Sequence, residues 1–295
     1  MDHDADGIQD IISGSYDPGD IWLFRGLGKG RYEAGKVLVD EAGVPLVHHP
    51  VELQKYHGLR AKKGEEDDEV IHARVASFGS WPAPVDWDGD GDLDLVIGTF
   101  SGHLHLRTNV GTRSEPKYAA ASPRVMCGTA PLKVAMHAAP VVADWNGDGT
   151  WDLVIGSGDG SVWFFPNRGN KQNPELAAGE TLVPRRARSK SLRHVLMPGA
   201  EPPPGVRAQI CVVDFDLDGK LDLLVGDYLS ISDARANLSA AERDELLDAD
   251  RQWKVMMEGD HDEALAEKLA AVRKRLCEGD DRCASAVWLY RRVAP

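Results

Sequence analysis

DWDGDGDLDLVIG, residues 86–98, is the stretch on which the fold turns. The same thirteen positions recur without a gap as DHDADGIQDIISG from Asp2, DWNGDGTWDLVIG from Asp144 and DFDLDGKLDLLVG from Asp214. Side-chain oxygens fall at positions one, three, five and nine of each loop, and position seven can add its backbone carbonyl. Hard oxygen donors at this spacing suit a hard cation, and the Gly at position six permits the sharp turn that wraps the chain around it. The EF-hand loop shares the spacing, but its bidentate Glu at position twelve is absent here. An apolar triplet takes positions ten to twelve, so the chain leaves the loop as a strand and not as a helix.

The candidate side-chain ligands are Asp2, Asp4, Asp6 and Asp10; Asp86, Asp88, Asp90 and Asp94; Asp144, Asn146, Asp148 and Asp152; and Asp214, Asp216, Asp218 and Asp222. Fifteen of these sixteen are carboxylates, and taking their charge away from the net −13 leaves +2. The acidic balance therefore sits in four clusters that repel themselves without a cation, and up to four Ca2+ ions are expected. Magnesium suits the loops less well, because it demands tight octahedral geometry and retains water. Any single loop could be an ordinary Asp-capped turn. Four aligned copies argue against that.

A second phrase follows each loop: DIWLFRGLG at Asp20, HLHLRTNVG at His103, SVWFFPNRG at Ser161 and AVWLYRR at Ala286. Before the loops stand PVVADW, ICVVDF and a weaker PAPVDW, and after the second phrase come extended pieces such as KYAAASPRV and ELAAGETLV. Short runs rich in Val, Ile, Leu and aromatics, bounded by Gly, Asn and Asp, predict strands. The repeat spacings of 84, 58 and 70 residues predict an all-β chain. Its expected form is a β-propeller arc of four visible four-stranded blades, the first and last incomplete, with a closed sandwich as the alternative. No strand precedes Asp2 and the last unit stops after its third strand. Either the two ends complete one another, or further blades lie upstream of Met1; the latter is the expectation.

The blades are assigned to residues 1–230 and 284–295, and residues 231–283 to an α-helical hairpin inserted in the last blade. The first loop Asp lies 19 residues before the equivalent second-phrase position in units two and three but 74 before it in the fourth. Ser239 and Glu242 predict a capping box, with Leu246, Trp253 and Met256 or Met257 on one helical face. Asp260 and Glu263 predict a second cap, before a stripe of Leu265, Leu269, Val272 and Leu276.

A chain of 295 residues with 42% hydrophobic content can bury a sizeable core. No run of about 18 apolar residues is present, and MDHDADG has neither the basic start nor the apolar stretch of a signal peptide, so no membrane insertion is expected. The negative charge argues against nucleic acid, and the basic stretch RRARSKSLRH from Arg185 lacks interleaved aromatics. Four cysteines show no zinc spacing, and a local Cys277–Cys283 disulfide and a fully reduced state both stay open. His48, His49 and His57 read as a surface loop, since no serine elbow, HExxH or phosphate loop accompanies them. Trp22, His105, Trp163 and Trp288 fall at one equivalent position, best read as packing between blades, with a sugar platform as the alternative. The apolar stripe of the hairpin reads as packing on its own partner helix and on the blades, with a docking surface for another protein as the alternative.

At the loop residues the chain resembles the FG-GAP and VCBS repeat family of calcium-loop β-propellers, including bacterial secreted proteins and integrin α-subunit heads. DWDGDGDLDLVIG and DWNGDGTWDLVIG carry the resemblance, with the NVGTRSEP and NRGNKQNPEL continuations closest to the VCBS type. It covers roughly residues 1 to 230 and the last ten. It implies calcium on the sixteen side chains above, with backbone oxygen from Ile8, Asp92, Thr150 and Lys220. It also implies a secreted, periplasmic or cell-surface protein whose loops are structural, a binding or scaffold module for an unknown protein or glycan partner. A propeller-type hydrolase or lyase acting on polysaccharide is the alternative. Two departures stand out: only four repeats are visible where the family often has about seven, and residues 231–285 match nothing in the repeat.

Overall fold

The computed structural model describes residues 1–47, 50–64, 67, 69–70, 78–185, 193–259 and 262–292. Short β-branched and aromatic runs form strands, and Gly and Asx residues turn the chain between them, giving a mostly β molecule of several small sheets. The first sheet holds β1 (Ile11–Gly14), β2 (Ile21–Phe24) and β3 (Lys36–Val37). The second holds β4 (Ser80–Val85), β5 (Asp94–Thr99) and β6 (Leu104–Arg107), followed by the ribbon of β7 (Met126–Cys127) and β8 (Ala130–Pro131). The third runs in the order β12 (Glu180–Val183), β11 (Val162–Phe165), β10 (Asp152–Gly156), β9 (Ala139–Ala143). In the fourth, β15 (Asp222–Asp233) pairs with β14 (Val206–Val213) and β17 (Val287–Tyr290). Its distal half pairs in parallel with β13 (Arg193–Leu196) and antiparallel with β16 (Arg282–Ala284).

Two sequence expectations differ from what is observed. Of the extended pieces after the second phrase, ELAAGETLV contributes β12, whereas in KYAAASPRV Tyr118 and Arg124 make only isolated bridges. Within the segment read as a surface loop, Pro50–Lys63 forms α1, with His57 on it; His48 and His49 lie outside the described residues. Pro is at home in the first turn of a helix, where its missing N–H costs nothing.

The sheets pack in chain order, β1 against β4, β4 against β9 and β9 against β14. Each junction has its own apolar core. Ile21 and Leu46 of the first unit meet Leu95, Ile97 and Tyr118 of the second. Val96 and Leu104 share a cluster with Leu153, Ile155 and Phe165, and Val154 and Phe164 share one with Leu223 and Val225. The Gly closing each thirteen-residue motif sets this approach. A Cβ on Gly14, Gly98 or Gly156 would fall 1.7, 2.0 or 2.3 Å from the carbonyl oxygen of Ser80, Ala138 or Ala208 in the next unit. At Gly226 the nearest atom is the carbonyl oxygen of Gln209, 3.6 Å away in the same sheet. A residue at the start of each inner strand, Gly79 before β4, His137 before β9 and Arg207 within the first residues of β14, takes a left-handed φ of 65°, 48° or 57°. Its N–H donates to Tyr16, Phe100 or Gly158 of the preceding unit.

The hairpin comprises α2 (Ala240–Glu258) and α3 (Glu263–Leu276). Ser239 and Glu242 form the reciprocal capping box that their spacing predicts. The second cap is Asp262, whose carboxylate accepts from Leu265 N–H at 3.0 Å; Asp260 lies outside the described residues. Leu246 and Leu276 pack with Val195 and Met197 beside β13, and the Trp253 ring lies beneath the guanidinium groups of Arg193 and Arg273. The apolar stripe therefore packs on the fourth sheet as well as on its partner helix. Cys127, Cys211, Cys277 and Cys283 are all free thiols, and Cys283 Sγ lies 3.1 Å from the Tyr228 hydroxyl.

Candidate metal sites

All four loops share one backbone scheme. Position six is left-handed Gly, at φ 85°, 99°, 87° and 87° for Gly7, Gly91, Gly149 and Gly219. Position four is left-handed as well: Gly89 at 75° and Gly147 at 77°, but Ala5 at 59° and Leu217 at 61°. Two left-handed residues flanking position five turn the chain inward, so that successive odd-numbered side chains converge. The position-five carboxylates of Asp6, Asp90, Asp148 and Asp218 accept the N–H of position seven, which is Ile8, Asp92, Thr150 and Lys220.

Position nine ties each loop to the sheet. Asp10, Asp94, Asp152 and Asp222 are buried. One oxygen of each accepts the N–H of position two, from His3, Trp87, Trp145 or Phe215. The other accepts the N–H of Gly26, Asn109, Asn167 or Arg292 at the end of the second phrase. These carboxylates thus hold the loop and the following hairpin together, a role the sequence reading of a ligand at position nine did not contain. Its signal was the constant spacing to the second phrase in units two and three. The Asn-x-Gly of those units carried another unread signal: Asn109 Oδ1 accepts from Gly111 and Lys117, and Asn167 Oδ1 from Gly169 and Glu175.

Positions one, three and five converge. Carboxylate oxygens of Asp2, Asp4 and Asp6 lie within 4.8 Å of one another, as do those of Asp86, Asp88 and Asp90 and of Asp214, Asp216 and Asp218. In the third loop Asn146 replaces a carboxylate, and its amide donates to Asp148 at 2.8 Å. The loops differ in what already faces the charge. Arg25 reaches Asp4 and Asp6 at 2.5 and 3.2 Å, and Arg291 reaches Asp216 at 3.4 Å. Among the described residues no ion pair joins a carboxylate of the second or third loop.

The second loop shows the electrostatic cost. Burial first, then the neighbouring carboxylates of Asp90, Asp88 and Asp86, pushes the Asp92 carboxyl up to about 6. Burial pushes Asp94 up to about 7 against the pull of its two N–H donors, and it raises Asp88 as well. A cation fits this loop: Asp86 Oδ1, Asp88 Oδ1 and Asp92 Oδ1 are buried with no hydrogen-bond partner, as are Asp2 Oδ1 and Asp4 Oδ1 in the first loop.

Among the residues of the second phrase, His105 is buried and Trp163 packs against the core between the second and third units. His103 and His105 each place Nδ1 near a backbone carbonyl, of Leu132 at 3.3 Å and Ser122 at 3.0 Å. Trp22, His105, Trp163 and Trp288 do share one row, opposite Ser13, Ile97, Ile155 and Val225. No helix of the described residues is long and apolar enough to cross a membrane. In comparisons with known proteins, no family model matches the sequence and no curated protein matches it.

Proposed function

We propose that this chain is a calcium-stabilised β-propeller arc of the FG-GAP and VCBS kind, working as a binding or scaffold module for a protein or a glycan. The observation that carries the calcium reading is the set of buried carboxylate oxygens without partners in the first two loops. An unpartnered buried carboxylate is costly in a fold, and a divalent ion held by several of them removes the cost. The propeller reading is supported by the serial packing of the sheets and by their inner strands, since β1, β4, β9 and β14 all contribute to one cleft of about 420 Å³. The resemblance to secreted FG-GAP and VCBS repeat proteins leads us to place the working protein outside the cytoplasm or in an exported compartment.

Thermal melting in calcium and in chelator tests the reading, because an ion that binds only the folded loops adds RT ln(1 + [L]/Kd) per site. Calcium is expected to raise Tm, with native mass spectrometry counting the bound ions and magnesium giving the smaller shift. Identical melting with and without chelator would overturn it. A glycan array probed in calcium and again in chelator tests the recognition half.

A further inference from the structure

The metal loops are gripped by units other than their own. In the second and third units the second phrase leads to Asn109 and Asn167, whose side chains close the turns at 112–115 and 170–173. A basic residue stands four places after the Asn in both, Arg113 and Lys171. Each turn lies against the metal loop of the preceding unit. Arg113 donates through Nη1 to the carbonyl oxygen of His3 at 2.9 Å and through Nη2 to that of Asp2, positions two and one of the first loop. Across the next junction, a Cβ on Gly89, position four of the second loop, would fall 2.8 Å from Gln172 Nε2 and 3.1 Å from the Lys171 carbonyl oxygen. At the third loop Arg292 donates to the Trp145 carbonyl oxygen, with its guanidinium 5.3 Å from the centre of the Trp145 ring.

Position two is where a loop and the next unit meet. His3 Nε2 lies 3.0 Å from the Tyr118 hydroxyl, and Trp87 shares a core cluster with Leu176, which bridges Asn167 as Tyr118 bridges Asn109. The residues on either side, positions one and three, carry the converging carboxylates. The following unit therefore fixes the segment between two ligands of one ion. Two arginines act on the first loop in opposite ways. Arg25 pairs with the carboxylates of Asp4 and Asp6, occupying oxygens that an ion would use. Arg113 is half-buried and forms no ion pair among the described residues, and its guanidinium goes to backbone carbonyls instead. The first competes with a cation; the second holds the chain in the shape that a cation needs.

We infer that the calcium sites of the first and second loops are each positioned by the turn of the following unit, with Arg113 a positioning residue of the first site, so that calcium taken up by one unit fastens the next unit to it. A loop whose ligand-bearing segment is already held loses less freedom when the ion binds. Linkage makes the effect mutual, and the bound ion holds the turn in return. The inference rests on the calcium reading and names the residues outside a loop that set its affinity.

Calcium titration of the full chain followed by NMR tests this, because the amides of the position-six glycines Gly7, Gly91, Gly149 and Gly219 report the four loops separately. Arg113→Ala is expected to weaken calcium at Gly7 by about fivefold or more while leaving Gly149 and Gly219 within about twofold. Arg25→Ala is expected to tighten it. A purely electrostatic role for Arg113 predicts the opposite sign, since removing a positive charge beside an acidic loop favours a cation. Arg113→Lys keeps the charge but loses the fork that reaches both carbonyls, so it should weaken calcium at Gly7 as well. Hydrogen exchange reads the other direction. Calcium should slow the Lys117 and Glu175 amides, which donate to Asn109 and Asn167, by about threefold or more. Asp4→Asn should remove that gain at Lys117 alone, and Asp88→Asn at Glu175 alone. Unchanged or tighter calcium at Gly7 in Arg113→Ala, equal weakening at all four glycines, or protection that ignores which loop is altered would overturn the inference. If calcium moves none of the four glycines, the calcium reading itself fails and takes the inference with it.

Discussion

The two middle units and the two outer ones carry the same motif and meet different fates. In the middle units the strand leaving the loop is buried along its whole length, and the aromatic at position two, Trp87 or Trp145, is covered by the following unit. In the outer units β1 pairs with β2 alone among the described residues, while Phe215 is 52% and Val287 72% exposed on the fourth sheet. The loops divide the same way. Middle loops have Gly at the left-handed position four, and their carboxylates have no ion-pair partner among the described residues; outer loops have Ala5 and Leu217 there, with Arg25, Arg291 and Lys220 close to the acids. The division is not complete: buried carboxylate oxygens without a hydrogen-bond partner stand in the first and second loops, whereas in the third Asn146 donates to Asp148.

The largest expected effect lies at position nine. Asp152 accepts from Trp145, Asn146 and Asn167 while fully buried, so Asp152→Ala leaves several buried N–H groups without an acceptor. Urea unfolding should register a loss of about 3–5 kcal/mol. Asp10→Ala should cost less, because Asp10 accepts two backbone N–H groups, from His3 and Gly26, where Asp152 accepts three. Equal losses would break the division between middle and outer units.

Calcium affinity should follow the same division. Asp88→Asn is expected to weaken the second site by about tenfold, or about 1.4 kcal/mol, measured by calorimetric titration. Asp216→Asn should do less, because Arg291 already offsets that carboxylate. A larger loss at Asp216 would reverse the ranking of the loops.

The pH dependence sharpens the point for the second loop. Asp92 and Asp94 have folded pKa values of about 6 and about 7, above the usual carboxylate value of about 4. Between those limits the folded state holds more protons than the unfolded state, so in chelator stability should fall as pH rises from about 4 to about 7. Calcium favours the ionised carboxylates and should flatten or reverse that slope. Melting curves across this range, with and without calcium, provide the check; a flat profile in chelator would count against the charge-starved description.

The smallest effect concerns position four. Leu217 is 86% exposed at φ 61°, so Leu217→Gly gives up little packing and relieves the left-handed backbone. A gain of up to about 1 kcal/mol is expected, and Gly147→Leu should lose a similar amount.

Much of this was legible in the residues themselves. Position-six glycines, converging acids, short strands and the Ser239 capping box all depend on contacts within about ten residues, and the motif specifies them directly. Tyr118 could not be read as the partner of His3, nor Arg292 as the partner of Trp145, because those contacts join different repeats. The helix α1 escaped for another reason: Pro50–Lys63 contains Gly58 and is mostly polar, so no apolar period marks it.

By itself the sequence determined what each unit is: a loop that gathers carboxylates, a strand that leaves it, a hairpin that returns, and a capped helical insertion in the fourth. Only the tertiary structure decided what the units do to one another. The Gly ending the motif is equally permissive in all four copies, yet at Gly14, Gly98 and Gly156 it lets a neighbouring carbonyl approach while at Gly226 none comes near. The Asp at position nine looks like a fourth ligand in a linear reading, and folding turns both of its oxygens onto backbone N–H groups from two separate segments. Burial, and with it the charge starvation of the second loop, depends on which surfaces the neighbouring units cover, and that is settled by long-range packing.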